Sequence, residues 1–227
     1  MVVIIGGTGL LGSELSKYFQ DDCISIGSNY DIYSFDKLET LLDEVKPKTI
    51  INCAAIKSEK VDENPLESIN INIIGSSNLS KYCIKKDIRL VYISTDYVYP
   101  GTHGSYKEED PLYPNNNYAW TKLAGECSTK LVGNHVIIRT SFGSSKFPYK
   151  KAFDNLFTSK DYVDVISPLI YKVVNSNFIG TINIGTEKKS IYDYAIIRNP
   201  DKEKESRKIT QDFSLDLNKL ESILKIK

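Results

Sequence analysis

Short apolar runs alternate with helix-period stretches along most of the chain. Val2–Ile5 is continuously apolar and β-branched, as a strand covered on both faces of a parallel sheet must be. Leu10–Phe19 then carries its apolar residues at helical spacing. Cys23–Ile26 predicts a second strand. A helix is expected over 35–45, capped by Ser34, with Asp36 in its first turn and Pro47 beyond its end. Further strands are expected at 49–53, Arg89–Ile93 and 135–139. Between them, 65–85 reads as one long helix through Leu66, Ile69, Ile73, Leu79, Cys83 and Ile84, and 118–131 as another. Beyond Ser144 the pattern loosens: a helix at 161–174, a short strand at 181–184, a helix at 191–197, a charged loop at 199–208, and a last helix at 215–226 that packs back on the body. There is no internal repeat. Strand and helix in regular alternation predict an α/β fold, a doubly wound, mostly parallel sheet with helices on both faces.

Composition narrows the partners more than the fold. The 227 residues are 41% hydrophobic and 26% charged, and 29 basic side chains balance 29 acidic ones. A net charge of zero supplies no field to hold nucleic acid or an anionic membrane surface. No apolar run approaches the roughly 20 residues of a membrane span. Cys23, Cys53, Cys83 and Cys127 form no CxxC pair and only His103 and His135 could join them, so no metal site is expected. Reduced thiols, and a Met1 that leads straight into the first strand without a basic leader, predict a cytoplasmic protein.

The chemistry concentrates at the predicted C-terminal ends of the strands. The first strand runs into Gly6, Thr8, Gly9, Leu10, Leu11 and Gly12, glycines between a strand and a helix. That arrangement lets a backbone approach a pyrophosphate and presents a helix N-terminus to it. After the second strand comes Gly27-Ser28-Asn29, with neither the acid that takes a ribose hydroxyl nor the base that takes a 2′-phosphate, so this position does not choose between NAD and NADP. Cys53, Ala54 and Ala55 end the third strand with side chains small enough for a cofactor to lie across the sheet edge. The fourth ends in Ser94, Thr95 and Asp96. Tyr118 and Lys122, four apart, share one helix face. An ammonium beside a phenol favours phenolate and makes a tyrosine a usable acid near neutral pH. The acidic run 108–110 is expected to be solvated.

These motifs in this order resemble the extended short-chain dehydrogenase/reductase family, and within it the dTDP-4-dehydrorhamnose reductase branch. The resemblance rests on GGTGLLG at 6–12, Asp31-Ile32, NCAA at 52–55, STDYVYPG at 94–101, YAWTK at 118–122 and RTSF at 139–142. It implies a Rossmann-type sheet over residues 1–143 that binds NADP or NAD, and a small C-terminal lobe over 144–227, interleaved with the end of that fold, for a nucleotide-sugar substrate. The stretch between Gly143 and Asp161 is short for the family, which implies a reduced lobe. Gly9, Leu10 and Leu11 would hold the pyrophosphate, Asp31 and Ile32 the adenine end, and Cys53, Ala54 and Ala55 the middle of the cofactor. Tyr118 would give a proton to the substrate carbonyl, Lys122 would tune it and bond the nicotinamide ribose, and Thr95 would bond the reacting oxygen. Asp96 and Phe142 would meet the sugar. Related dehydratases follow Thr-Asp with a glutamate, whereas Tyr97 stands here. The resemblance thus implies reduction of a 4-keto-6-deoxy sugar; the same superfamily also holds epimerases and non-catalytic subunits that serve a partner enzyme. Family members often form a homodimer.

Overall fold

The computed structural model describes residues 1–225. Six parallel strands form the central sheet: β1 (Val2–Ile5), β2 (Cys23–Ile26), β3 (Thr49–Asn52), β4 (Arg89–Ile93), β5 (His135–Thr140) and β6 (Gly180–Ile184), in the spatial order β2-β1-β3-β4-β5-β6. Register is continuous across it, with Ile4 beside Ser25 on one side and Ile51 on the other. Helices α1 (Leu10–Phe19), α2 (Asp36–Val45), α3 over 65–86, α4 (Asn117–Thr129) and α5 (Val163–Val174) cover it, with α6 (Ile191–Ile196) and α7 (Asn218–Leu224) beyond. The doubly wound sheet expected from the alternation is present.

The two-residue period of the strands divides the core into two layers. Ile4, Ile51, Val91 and Val136 face Leu11 and Leu15 of α1 and Ile166 and Ile170 of α5. Their chain neighbours Val3, Ile50 and Leu90 face the other way, onto Leu38 and Leu42 of α2 and Leu79 of α3. Such double-sided burial is why these strands read as unbroken apolar runs.

Several expectations change in detail. Helix α2 starts at Asp36 with Phe35 at its cap and no side-chain cap bond; the Ser34 hydroxyl instead reaches Asp31 Oδ2 at 3.5 Å. The long helix α3 is interrupted, with α-helix at Pro65–Ser68 and Ser76–Lys86 flanking a π-helical stretch, Ile69–Gly75. Helix α5 begins at Val163, because Asp161 and Tyr162 form a strand paired with Phe142 and Gly143. The 199–208 loop contains a strand, Glu203–Glu205, paired with Lys151–Phe153. Leu156–Thr158 joins Lys189–Ser190 and Gln211–Asp212 in a three-stranded sheet. The last helix spans Asn218–Leu224; of the expected 215–226, Ile226 lies outside the described residues.

Candidate active site

The sheet order reverses between β1 and β3, which leaves a crevice beyond their C-terminal ends. The glycine loop fills one wall of it. Gly6 sits at φ 75°, and a Cβ there would lie 2.7 Å from Ala54 N. At Gly12 a Cβ would lie 2.3 Å from the Gly6 carbonyl oxygen, so α1 can press on the loop only without a side chain. Gly9, exposed, bonds Gly6 O through its own N–H at 3.0 Å. No side chain caps α1, so its first-turn N–H groups keep their donors for a ligand. The Thr8 methyl packs on Gly27, and the Leu11 side chain is buried in the core, leaving only its backbone to face a ligand.

At the far end of the crevice Asp31 is exposed, while the Ile32 side chain is 2% exposed and packs on Gly75. Asn78 holds the carbonyls of Ile32 and Tyr33 at 3.1 and 3.0 Å. Ile32 can therefore address a ligand through its main chain alone. Cys53, Ala54 and Ala55, all half-buried, follow β3, with Ala54 against Gly6. Burial pushes the Cys53 thiol up to about 12, against the pull of the Lys122 ammonium, so it stays protonated.

Thr95, two residues beyond β4, begins a tight turn, its side chain accepting from Tyr97 N–H at 3.3 Å and donating to Asp96 Oδ1 at 3.2 Å. Asp96 is 1% exposed. Desolvation pushes its carboxyl up to about 6, although Lys160 and the hydroxyls of Thr95 and Thr158 favour the ionised form. Helix α4 begins under an Asn116 cap, whose side chain accepts from Ala119 N–H at 2.8 Å. That cap sets Tyr118 in the first turn and Lys122 in the next.

The electrostatics of the pair differ from expectation. Burial, then the negative charge of Asp96, push the Tyr118 phenol above its ordinary value. Lys122 is 2% exposed and its ammonium lies 4.2 Å from the centre of the Tyr92 ring. Desolvation brings Lys122 down to about 7, with Cys53 and Glu126 opposing. At both groups burial is the largest cause and favours the neutral form.

Phe142 is half-buried and packs against the aliphatic core, while its neighbour Gly143 presses on the Tyr194 hydroxyl. The 108–110 run is not uniformly solvated. The Glu108 side chain is buried, accepting from Asn183 N–H at 2.9 Å and pairing with Lys219 at 3.2 Å. Asp110 bonds Lys107 N–H, and among the described residues no acidic, Cys or His cluster could hold a metal ion.

Sequence reasoning missed two supports of the site. Asn72, at the π-helical stretch, donates to Thr121 Oγ1 at 2.9 Å and to Ile56 O at 3.1 Å, and accepts from Ile56 N–H at 2.8 Å. It ties the loop after β3 to α4, and its signal was a polar residue within an apolar helical pattern. Glu126, four after Lys122, accepts from Ser94 Oγ and is held by Arg139 through Nη2 at 2.8 Å and Nε at 3.1 Å. Arg139 also bonds the Tyr99 hydroxyl at 2.9 Å and Glu108 O at 3.0 Å. This unit locks α4 onto β4 and β5 beside Thr95.

The family model described as RmlD substrate binding domain matches residues 1–168. The chain belongs to this family. Within the family's reach, dTDP-4-dehydrorhamnose reductase of Aggregatibacter actinomycetemcomitans is 31% identical over 202 residues, covering 84% of this chain and 68% of that protein. Methionine adenosyltransferase 2 subunit beta of Pongo abelii is 35% identical over 137 residues, covering 55% of this chain and 41% of that protein; the chain thus spans about two fifths of that relative's length. Among solved structures, a hypothetical dTDP-4-dehydrorhamnose reductase from Sulfolobus tokodaii superposes with a TM-score of 0.88 at 25% identity, covering 100% of this chain and 95% of that one. The reductase of Bacillus anthracis str. Ames, solved in complex with NADP, gives 0.86 at 24%, covering 97% and 90%. The RmlD-type, Rossmann-like fold and the branch expected from the motifs are both borne out. Among the described residues no helix is long and apolar enough to cross a membrane.

Proposed function

We propose that the protein reduces the 4-keto group of a nucleotide-linked 4-keto-6-deoxy sugar with NADPH or NADH. The observation that carries this reading is a connected group: Thr95 bonded to Asp96, Tyr118 facing Asp96, and Lys122 facing Cys53, whose neighbour Ala54 lies against Gly6 of the uncapped glycine loop. The crevice fits a dinucleotide. The loop closes on Ala54 and on α1 so tightly that Gly6 and Gly12 admit no Cβ, and the helix leaves N–H groups for a pyrophosphate. Gly6, Thr8, Gly9, Leu10, Leu11 and Gly12 would hold the pyrophosphate, mostly through the backbone. Asp31 and the Ile32 main chain would take the adenine end, and Cys53, Ala54 and Ala55 the middle. Ser28 and Asn29 carry no charge to exclude a 2′-phosphate or to demand one. The nicotinamide supplies hydride when bound.

The chain's own work is with protons. As the carbonyl becomes an alcohol, Tyr118 gives its phenolic proton to the oxygen, and solvent later restores it. The raised proton affinity of Tyr118 keeps it charged with that proton across the neutral range. The phenolate left behind favours the ammonium form of Lys122, which would also bond the nicotinamide ribose. Thr95 donates to the same oxygen, and Asp96 and Phe142 face the sugar.

The test is oxidation of NADPH and NADH over a panel of dTDP-, UDP- and GDP-4-keto-6-deoxyhexoses. Tyr118→Phe is expected to lower turnover by about 10²–10⁴-fold while leaving the cofactor's Kd within about threefold. Undiminished turnover in that variant would sink the mechanism. A second reading, a cofactor-binding subunit that serves a partner enzyme, draws on the likeness to methionine adenosyltransferase 2 subunit beta. It predicts cofactor binding, no turnover on any sugar of the panel, and a stable complex with another enzyme. An epimerase would regenerate its cofactor and show no net oxidation.

A further inference from the structure

A threonine hydroxyl has one proton to donate. In this structure Thr95 gives it to Asp96 Oδ1, at 3.2 Å, and accepts from Tyr97 N–H at 3.3 Å. The other Asp96 oxygen accepts from Thr158 Oγ1 at 3.4 Å. An ionised Asp96 can only accept, so it keeps the Thr95 proton for itself and leaves nothing to donate to a substrate oxygen. Protonation removes the conflict. A neutral carboxylic acid donates its O–H to Thr95 Oγ1, and Thr95, now accepting twice, turns its own proton into the cleft.

We propose that Asp96 serves the reaction as the neutral acid, a positioning residue whose proton is held against Thr95 Oγ1 and aims the Thr95 hydroxyl at the substrate carbonyl oxygen. This rests on the reductase reading above. Asp96 keeps its proton throughout, and the proton that the product gains comes from Tyr118.

The surroundings set the balance. Facing Asp96 are the Lys160 ammonium and the Thr158 hydroxyl from the C-terminal lobe, Tyr118 from α4, and Tyr97 and Thr95 from its own turn. Lys160 and the two hydroxyls favour the carboxylate, and burial favours the acid. The two phenols are themselves pushed upward by burial and by Asp96, so they stay neutral and add no competing charge near pH 7. Burial prevails far enough to bring the group to about 6. A sugar covering the cleft removes more water and moves it further in the same direction.

Two measurements test this, one of them independent of turnover. The side-chain carboxyl of Asp96, followed by ¹³C NMR in aspartate-labelled protein, is expected to titrate near 6, and to move in Thr95→Val, which removes its hydrogen-bond partner. A midpoint near the ordinary value of about 4, unmoved by Thr95→Val, overturns the proposal. In turnover, Asp96→Asn holds a permanent N–H against Thr95. Any limb contributed by Lys122 is common to both proteins, so the ratio of variant to wild-type kcat/KM, which reports the free protein, is expected to rise about 50-fold between about pH 6 and pH 8. Asp96→Ala, with no donor, stays slow throughout. A ratio that is constant with pH, or an asparagine variant as slow as the alanine one, overturns the acid role. Wild-type protein that turns over no sugar overturns the reductase reading itself, and the NMR titration then decides separately whether Asp96 holds its proton.

Discussion

In residues 1–143 the buried contacts run through aliphatic side chains on long elements: Val3, Ile4 and Ile5 of β1, Ile50 and Ile51 of β3, and the leucines of α1 and α2. Residues 144–225, apart from α5 and β6 which complete the sheet, are held differently. Their core is the small set Phe147, Ala152, Tyr162, Tyr194 and Ala195, and their strands are two or three residues long. Cations lie on the rings, with Arg198 on Tyr162, Lys204 on Tyr192 and Arg207 on Phe153. Ion pairs, Lys189 with Asp161 and Lys188 with Asp212, join the short segments. Aliphatic burial is non-directional and scales with area, so the sheet half tolerates substitutions that keep volume. The lobe depends on particular pairs, and single changes there act locally.

The largest expected effect falls where the sheet half breaks its own pattern. Glu126 and Arg139 are its buried charge pair, with side chains 5% and 6% exposed. Glu126→Ala leaves the Arg139 guanidinium buried without its carboxylate, and Ser94 without its acceptor. The expected loss is about 4 kcal/mol of global stability, read from the urea midpoint with Trp120 on α4 as the fluorescent reporter. A loss below about 1 kcal/mol would mean that aliphatic packing alone holds α4 in place.

The same contrast decides what the sequence reveals. Elements from β1 to β5 carry an unbroken apolar run of about four residues or a 3.6-residue period, and their positions are legible within about two residues. The lobe strands are too short to show a period. Glu203–Glu205 reads as a charged loop because its pairing with Lys151–Phe153 is decided about 50 residues away, where Glu203 N–H bonds Lys150 O at 3.1 Å. Glu108 reads as solvated because its partners, Asn183 and Lys219, are equally remote. In the site, Thr95, Tyr118 and Lys122 are visible as residue types at known spacing. The proton affinities of Tyr118 and Lys122 are not, since burial dominates both and depends on residues remote in sequence, such as Tyr92, whose ring lies against Lys122.

An intermediate effect is expected in the lobe. Lys189→Met takes the cation from the buried Asp161 carboxylate, which Lys189 Nζ meets at 2.9 Å. Breaking this pair is expected to cost about 3 kcal/mol. Amide exchange should speed up at 156–158 and 189–196, with β1 through β5 unchanged. Equal acceleration in the sheet would show that the two parts open together. Acid should mimic the substitution. Burial opposes ionisation of Asp161, but Lys189, the Tyr162 N–H and the Thr186 hydroxyl outweigh it and hold the carboxyl below its ordinary value. The folded lobe binds that proton less readily than the unfolded chain. Its contribution is therefore present above about pH 4 and is lost as pH falls through the folded value.

The smallest effect separates stacking from charge. Arg198 lies 4.0 Å from the centre of the Tyr162 ring and pairs with Asp164 at 2.8 Å. Arg198→Lys keeps the charge and can keep the ion pair, but loses the flat guanidinium that lies along the ring. The expected cost is about 0.5 kcal/mol, a shift of about 0.25 M in the urea midpoint at a typical slope. Salt sharpens the test. At about 1 M the partly exposed Asp164 pair is screened, while contact between guanidinium and ring persists. The difference between the two proteins should therefore survive high salt. A difference that vanishes there would assign the contribution to the ion pair, and the lobe would then be expected to loosen with ionic strength, as the aliphatic sheet would not.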